Sequence, residues 1–165
     1  MAEAFNSVEL PSDKAARYAA LAEEVASVLA GEPDQTARMA VVAGMLAQSF
    51  PHFFWTGFYR VDPGRPEELV LGPYQGTLGC LRIAFGKGVC GTAAQRRETL
   101  VVEDVHAFPG HIACDAASAS ELVVPVLRDG AVIAVIDLDS PRPARFTQAD
   151  AEGVSALAEL LSARI

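Results

Sequence analysis

Three segments of the chain carry apolar residues at the three- and four-residue spacing of an amphipathic helix. The first occupies residues 12–30, capped by Ser12 or Asp13, and the second runs from the Asp34 cap to about residue 49. The third follows Thr147, which has a capping-box partner three residues on. Their apolar stripes are Tyr18, Leu21, Val25, Val28 and Leu29; Met39, Val42, Met45 and Leu46; and Val154, Leu157, Leu160 and Leu161. We predict three packing helices.

Between the second and third helices the pattern changes to short apolar runs bounded by turn residues, which is typical of β-strands. The predicted strands are residues 53–61, 68–74, 81–85, 100–102, 121–127 and 131–139. Turn residues join the first two strands, and the last two, into hairpins. A glycine-rich segment at 86–91 leads into a short helix. This order predicts an α+β fold: an antiparallel sheet with the N- and C-terminal helices on one face, and pocket-forming loops and short helices on the other.

Composition narrows the class of protein. At 165 residues the chain fits one domain with a substantial core. Its formal net charge of -8 disfavours nucleic-acid and anionic-membrane partners, because there is no basic stripe to neutralise phosphates. No run approaches the length of a membrane span, and residues 1–9 lack the pattern of a secretory signal. We therefore expect a cytoplasmic protein, in which cysteines are more often catalytic, metal-binding or buried than held in structural disulfides.

Residues 109–121 form a stretch of small and polar residues around one cysteine, Cys114. A packed helix would show larger apolar residues at helical intervals. Small side chains such as Ala113 and those of 116–118 leave room for a ligand to approach the thiol. We interpret Cys114 as a nucleophile in a closed ligand pocket, and a buried structural cysteine is the alternative.

Three carboxylates are predicted to gather near this cysteine. Asp137 and Asp139 end an apolar strand and share one face of it, since strand residues two apart point the same way. The hairpin brings the start of the preceding strand, Glu121, beside them. Three like charges in one recess raise at least one pKa, which provides a protonated acid near neutral pH, while the remaining charge can hold an ammonium group. The pattern leaves open which carboxylate carries the proton.

Other chemistries match the sequence less well. The cysteines lack a C-x-x-C knuckle, which disfavours a zinc site completed by His106 and His111. No nucleophile elbow supports a serine hydrolase, and segment 86–91 lacks a nucleotide fingerprint. Cys90, near the start of the short helix, is expected to have a lowered pKa if exposed, and to be a small core residue otherwise. His111 lies three residues before Cys114, so the alternatives are a base for this cysteine and a loop residue; we interpret it as a loop residue.

Several motifs together resemble the free methionine-(R)-sulfoxide reductases, a family of GAF-domain enzymes. They are WTGFY at 55–59, LGPYQG at 71–76, Cys80, GKGVCGTA at 86–93, EDVH at 103–106, GHIACDAAS at 110–118, Ser120-Glu121 and DLDS at 137–140. The resemblance is close over residues 50–165 and looser over the N-terminal helices. It implies a single GAF domain spanning residues 1–165.

The resemblance implies reduction of free L-methionine (R)-sulfoxide, with electrons from thioredoxin, no cofactor or metal, and a role in oxidative stress. Cys114 matches the nucleophile that becomes a sulfenic acid, Cys80 the resolving cysteine, and Cys90 a cysteine that assists disulfide exchange. The implied substrate-binding residues are Trp55, Tyr59, Glu121, Asp137 and Asp139, of which Glu121 and Asp139 are also catalytic. A homodimer through the N-terminal helix is compatible with such a domain. The competing hypotheses are a GAF sensor without catalysis and a peroxide-reducing thiol enzyme.

Overall fold

The structure, a computed structural model, describes residues 11–163. The segment on which the expectation of no secretory signal rests, residues 1–9, lies outside this range. The helices are α1 (Lys14–Val28), α2 (Gln35–Ser49), α3 (Gly88–Arg96) and α4 (Gln148–Ser162), and the strands are β1 (Trp55–Asp62), β2 (Arg65–Gly76), β3 (Arg82–Ala84), β4 (Leu100–Val102), β5 (Ser120–Arg128) and β6 (Ala131–Ser140). Within residues 11–163 no helix is long and apolar enough to cross a membrane.

Six strands of the described chain form one antiparallel sheet in the order β3-β2-β1-β6-β5-β4. Helices α1, α2 and α4 pack on one face, where Phe58, Leu122 and Ile136 are buried against them. On the other face, α3 packs over a smaller core that includes Val123 and Val135. The predicted layers are therefore confirmed.

The helix boundaries follow from their caps. Asp13 accepts a hydrogen bond from the Ala16 amide, and Asp34 accepts one from the Ala37 amide, as the sequence predicts. The predicted capping box of Thr147 at the start of α4 is also present. The prediction for one residue of the apolar stripes is wrong. Val28 is 45% exposed, because it is the last residue of α1 and extends beyond the helices that cover the stripe.

Strand β2 is longer than predicted. It extends from residue 65 to residue 76 because it pairs with β1 on one side and with β3 on the other, and these ladders hold polar residues in the strand. Strand β3 is correspondingly short, with partners only between Glu68 and Val70.

The joint between α1 and α4 depends on a glycine. A Cβ atom at Gly153 would overlap the buried ring of Tyr18, whose hydroxyl donates to Asp150 at 2.8 Å. We expect Gly153→Ala to lower the free energy of unfolding by about 1–3 kcal/mol through overpacking, although alanine favours the helix. Urea denaturation measures this. The control is Gly44→Ala in α2, where nothing lies within 4 Å and stability should hold or rise; equal stability of the two variants would contradict the prediction.

Candidate active site

Strand register assembles one side of the site. Asp139 in β6 pairs with Trp55 of β1 on one side and with Glu121 of β5 on the other. Asp137 and Tyr59 lie on the same face, because strand residues two or four apart point the same way. The hairpin thus places the three carboxylates together, in the arrangement expected from the sequence, beside two aromatic rings.

Loops on this face enclose a small pocket that opens to solvent. Its lining includes Trp55, Tyr59, Cys90, Cys114, Glu121, Asp137 and Asp139. Every residue predicted to be catalytic or substrate-binding therefore lines this pocket, apart from Cys80. The pocket has a carboxylate floor, an aromatic wall and a cysteine at its mouth.

Cys80 and Cys114 form a disulfide whose Cα atoms are 5.3 Å apart. Cys114 is exposed and Cys80 is half-buried, so an external reductant can reach the bond. Two hydrogen bonds hold the Cys80 loop in place: Thr77 Oγ1 donates to Asp115 at 2.5 Å, and Trp55 Nε1 donates to the Thr77 carbonyl at 3.0 Å. The loops carrying the two cysteines are thus joined both covalently and by a hydrogen bond.

The aromatic wall is a stack of three rings. Trp55 lies between Tyr59 and Tyr74, with ring centroids 5.6 and 5.1 Å away. The Cys80 loop passes directly over the stack, because Gly79 has no side chain: a Cβ there would lie 2.9 Å from the Tyr59 hydroxyl. Trp55 is therefore a pocket wall as well as a core residue.

Burial raises the pKa of all three carboxyl groups, and repulsion from neighbouring carboxylates adds to the shift at Glu121 and Asp139. Burial raises the pKa of Glu121 well above its ordinary value, and the charges of Asp137 and Asp139 raise it further. Burial also raises the pKa of Asp139, although the Ser118 hydroxyl, which donates to it at 2.6 Å, opposes the shift. Burial raises the pKa of Asp137 to about 6. Burial therefore favours the protonated form in this cluster, which is the form that a general acid requires.

Cys90 lacks the solvent exposure that would lower the pKa of a cysteine near the start of a helix. It is buried, with its Sγ atom 3.8 Å from Glu121 Oε1. Burial, followed by the charges of Asp137 and Glu121, raises its pKa well above the ordinary value. The lowered pKa expected for an exposed position is therefore not found, because the short helix turns this residue into the acidic pocket.

His111, interpreted from the sequence as a loop residue, lines the pocket, and so does Ser118, one of the small residues expected to leave room for a ligand. His111 Nε2 lies 3.9 Å from Glu121 Oε2, and burial together with His106 lowers the pKa of His111. Conversely, Ala113, Ala116 and Ala117 are exposed and do not line the pocket. Their interpretation as clearance for a ligand is wrong, because an irregular loop over the pocket mouth turns these residues toward solvent. A loop has no side-chain periodicity, so the sequence could not separate the loop residues that line the pocket from those that face solvent.

Comparison with known proteins agrees with this geometry. A family model described as GAF domain matches residues 16–165. A free methionine-R-sulfoxide reductase of Escherichia coli is 43% identical over 140 residues, covering 85% of this chain and 83% of that protein. The crystal structure of a free methionine-R-sulfoxide reductase from Neisseria meningitidis, in complex with its substrate, is 48% identical, with a TM-score of 0.88 over 92% of this chain and 90% of that one.

A putative GAF sensor protein from Burkholderia vietnamiensis is 52% identical, with a TM-score of 0.86 over 92% of this chain and 94% of that one. Sheet order, helix layers and the pocket together define a GAF fold with a disulfide beside its pocket. Within that class, the chain belongs to the GAF-domain family of the free methionine-R-sulfoxide reductases.

Proposed function

We propose that this chain reduces free L-methionine (R)-sulfoxide to L-methionine, with thioredoxin as the electron donor, as a single GAF domain in the cytoplasm. The observation that carries the proposal is the combination of an accessible Cys80–Cys114 disulfide with a pocket of three buried carboxylates and stacked aromatic rings. Relatives of 43% and 48% identity that bear this enzyme's name support the assignment. A homodimer remains part of the proposal and is tested by light scattering.

In the proposed reaction, the Cys114 sulfur attacks the sulfoxide sulfur while a carboxylic acid protonates the sulfoxide oxygen. The oxygen passes to Cys114 as a sulfenic acid, and methionine leaves as the two-electron-reduced product. Cys80 then attacks the sulfenic sulfur, forms the disulfide and releases water. An external dithiol reduces this disulfide to complete the cycle, so that two thiol electrons are consumed for each sulfoxide. Cys90 assists by disulfide exchange.

We assign the proton donor to Glu121. Its raised pKa favours the protonated form that a general acid requires, and it lines the same pocket as Cys114. Asp139 is the weaker donor because it already accepts a hydrogen bond from Ser118, which stabilises its ionised form. Asp137, ionised above about pH 6, is suited to hold the substrate ammonium group. Trp55 and Tyr59 provide an apolar wall for the methyl-sulfoxide end.

The test of the proposed function is turnover with three substrates: free methionine (R)-sulfoxide, the (S) epimer and a peptide containing the sulfoxide. NADPH consumption through thioredoxin and its reductase is the readout, and dithiothreitol replaces this system in a parallel assay. We expect turnover of the free (R) form alone. No turnover of that form with either reductant contradicts the proposed activity, while turnover with dithiothreitol alone contradicts only the thioredoxin step.

A binding function without catalysis is the second candidate, favoured by the name of the Burkholderia vietnamiensis relative. A sensor would bind a free amino acid without consuming thiol electrons. Calorimetry with the reduced protein separates the two functions: a sensor retains the sulfoxide unchanged, whereas a reductase releases methionine and loses two free thiols.

The reductant is expected to dock on apolar residues around the disulfide. Leu81, next to Cys80, is 71% exposed, and Leu78 and Ile112 are 75% and 40% exposed. We expect Leu81→Ser to raise the KM for thioredoxin roughly tenfold, equivalent to about 1.4 kcal/mol, because a leucine contact is lost at the interface. Turnover with dithiothreitol should not change, since Leu81 does not line the pocket.

The matched control for Leu81→Ser is Val101→Ser. Val101 is also an exposed apolar residue, at 41%, but it lies in edge strand β4, paired with Leu122 of the helix-covered face. This variant should keep the parental KM for thioredoxin. An equal effect of both substitutions, or an unchanged KM in Leu81→Ser, would contradict a docking surface at the disulfide.

A further inference from the structure

One group of side chains in the pocket can ligate a metal ion. The sulfur of Cys90 and one oxygen each from Glu121 and Asp137 lie within 4.8 Å of one another, and all three residues are buried. Cys90 is the cysteine left free when Cys80 and Cys114 are paired. The spacing of cysteines along the sequence gave no sign of this group, because its members come from a helix and two strands.

A polar atom without a partner points to a ligand at this place. Asp137 is 5% exposed, and its Oδ1 atom is buried without a hydrogen-bond partner among residues 11–163. A buried carboxylate oxygen in this condition carries an unfavourable desolvation energy, which a cation relieves. A substrate ammonium group would also satisfy it, but such a group gains little from a thiol, which is a weak acceptor.

The thiol makes a soft, divalent transition-metal ion the better match. Zinc binds thiolate at about 2.3 Å and carboxylate oxygen at about 2.0 Å, which places tetrahedral S and O ligands roughly 3.5 Å apart. The distance from Cys90 Sγ to Glu121 Oε1 is 3.8 Å, and all three ligand atoms lie within 4.8 Å of one another, so side-chain rotations would bring them to the distances that zinc requires. These three ligands leave the fourth position facing the pocket, where water or another pocket carboxylate can fill it. The hard ions Mg²⁺ and Ca²⁺ prefer oxygen ligands alone.

We propose that Cys90, Glu121 and Asp137 form a Zn²⁺ site inside the substrate pocket, and that the ion excludes the substrate. The exclusion rests on the proposed function, because it assumes that Glu121 and Asp137 hold methionine sulfoxide. Binding releases the thiol proton of Cys90 and neutralises the clustered carboxylates. Zinc is then an inhibitor that competes for the pocket and has no part in the reaction.

Co²⁺ titration of the oxidised, untagged protein tests the site without turnover. With Cys80 and Cys114 paired in a disulfide, a thiolate-to-Co²⁺ charge-transfer band can come only from Cys90. We expect this band at one equivalent, its loss on addition of Zn²⁺, and its absence in Cys90→Ser. Asp137→Asn should weaken Co²⁺ binding at least tenfold. The control is His52→Ala, which removes an exposed histidine outside the pocket and should leave the titration unchanged.

No band in the parental protein, or an equal band in Cys90→Ser, overturns the site. Circular dichroism of each variant shows whether a lost band reflects unfolding, and Glu121→Gln gives a second, isosteric probe of the same ligand set. Competition is measured separately, by adding free methionine (R)-sulfoxide to the Co²⁺ complex of the oxidised protein. A band that the sulfoxide does not diminish overturns the exclusion. Failure of the reductase assay alone leaves the metal titration standing, so the two proposals are distinguishable.

Discussion

Cys114→Ser is expected to abolish the release of methionine from free methionine (R)-sulfoxide, with a loss of roughly 10⁴-fold or more. A hydroxyl group at this position cannot reduce the sulfoxide, because the electrons come from the sulfur atom. Cys80→Ser should behave differently, since the nucleophile is intact: it should release about one methionine per protein molecule and then stop. Rapid quenching followed by chromatographic measurement of methionine distinguishes these results.

The chemical state of the stalled Cys80→Ser protein provides the control. Its Cys114 should react with a sulfenic acid trap such as dimedone, giving an adduct that mass spectrometry locates on that residue. The parental protein should give little adduct, because the disulfide forms first. Continued cycling of Cys80→Ser at the parental rate would assign resolution to Cys90, and methionine release by Cys114→Ser would remove the nucleophile from this position.

The parts of the site that the sequence predicts are those governed by regular geometry. The alternation of a β-strand places Asp137 and Asp139 on one face, and a hairpin then brings Glu121 opposite Asp139. Both rules depend only on backbone periodicity and a recognisable turn. The helix caps at Asp13 and Asp34 are similarly local, because a cap and its amide partner are three residues apart.

The parts that could not be predicted depend on the paths of irregular loops. The burial of Cys90, the approach of His111 to Glu121, and the solvent exposure of Ala113 all require the three-dimensional course of segments without a repeat. The bond from Thr77 to Asp115 joins residues 38 positions apart. Nor does spacing alone decide how three cysteines pair; the family resemblance suggested Cys80 and Cys114.

Glu121→Gln is expected to change activity and stability in opposite directions. Glutamine keeps the shape of the side chain but cannot donate a carboxylic proton, so turnover should fall roughly 10²- to 10⁴-fold. In the parental protein, activity should decline as pH rises through the raised pKa of Glu121, because the donor then loses its proton. The residual activity of Glu121→Gln should lack this decline. A pH profile of kcat/KM with dithiothreitol as reductant measures both effects.

The opposite effect on stability follows from the same buried proton. Above the ordinary pKa of 4.5, the unfolded chain has lost the Glu121 proton while the folded protein retains it, so rising pH favours unfolding until the folded pKa is passed. Glutamine removes this dependence. We therefore expect Glu121→Gln to become progressively more stable relative to the parental protein as pH rises above about 5, as followed by urea denaturation. Glu159→Gln, which changes an exposed carboxylate of α4, should show no such trend.

Asp139→Asn decides whether these effects belong to Glu121 itself or to the cluster. Both substitutions remove a buried carboxylate, so both should lessen the loss of stability at high pH. Only the variant lacking the proton donor should also lose the decline of kcat/KM with pH. If that variant is Asp139→Asn, the donor is Asp139, and the hydrogen bond from Ser118 serves to orient the acid. A proton donor is thus defined by the two measurements together, because a merely buried carboxylate changes stability alone.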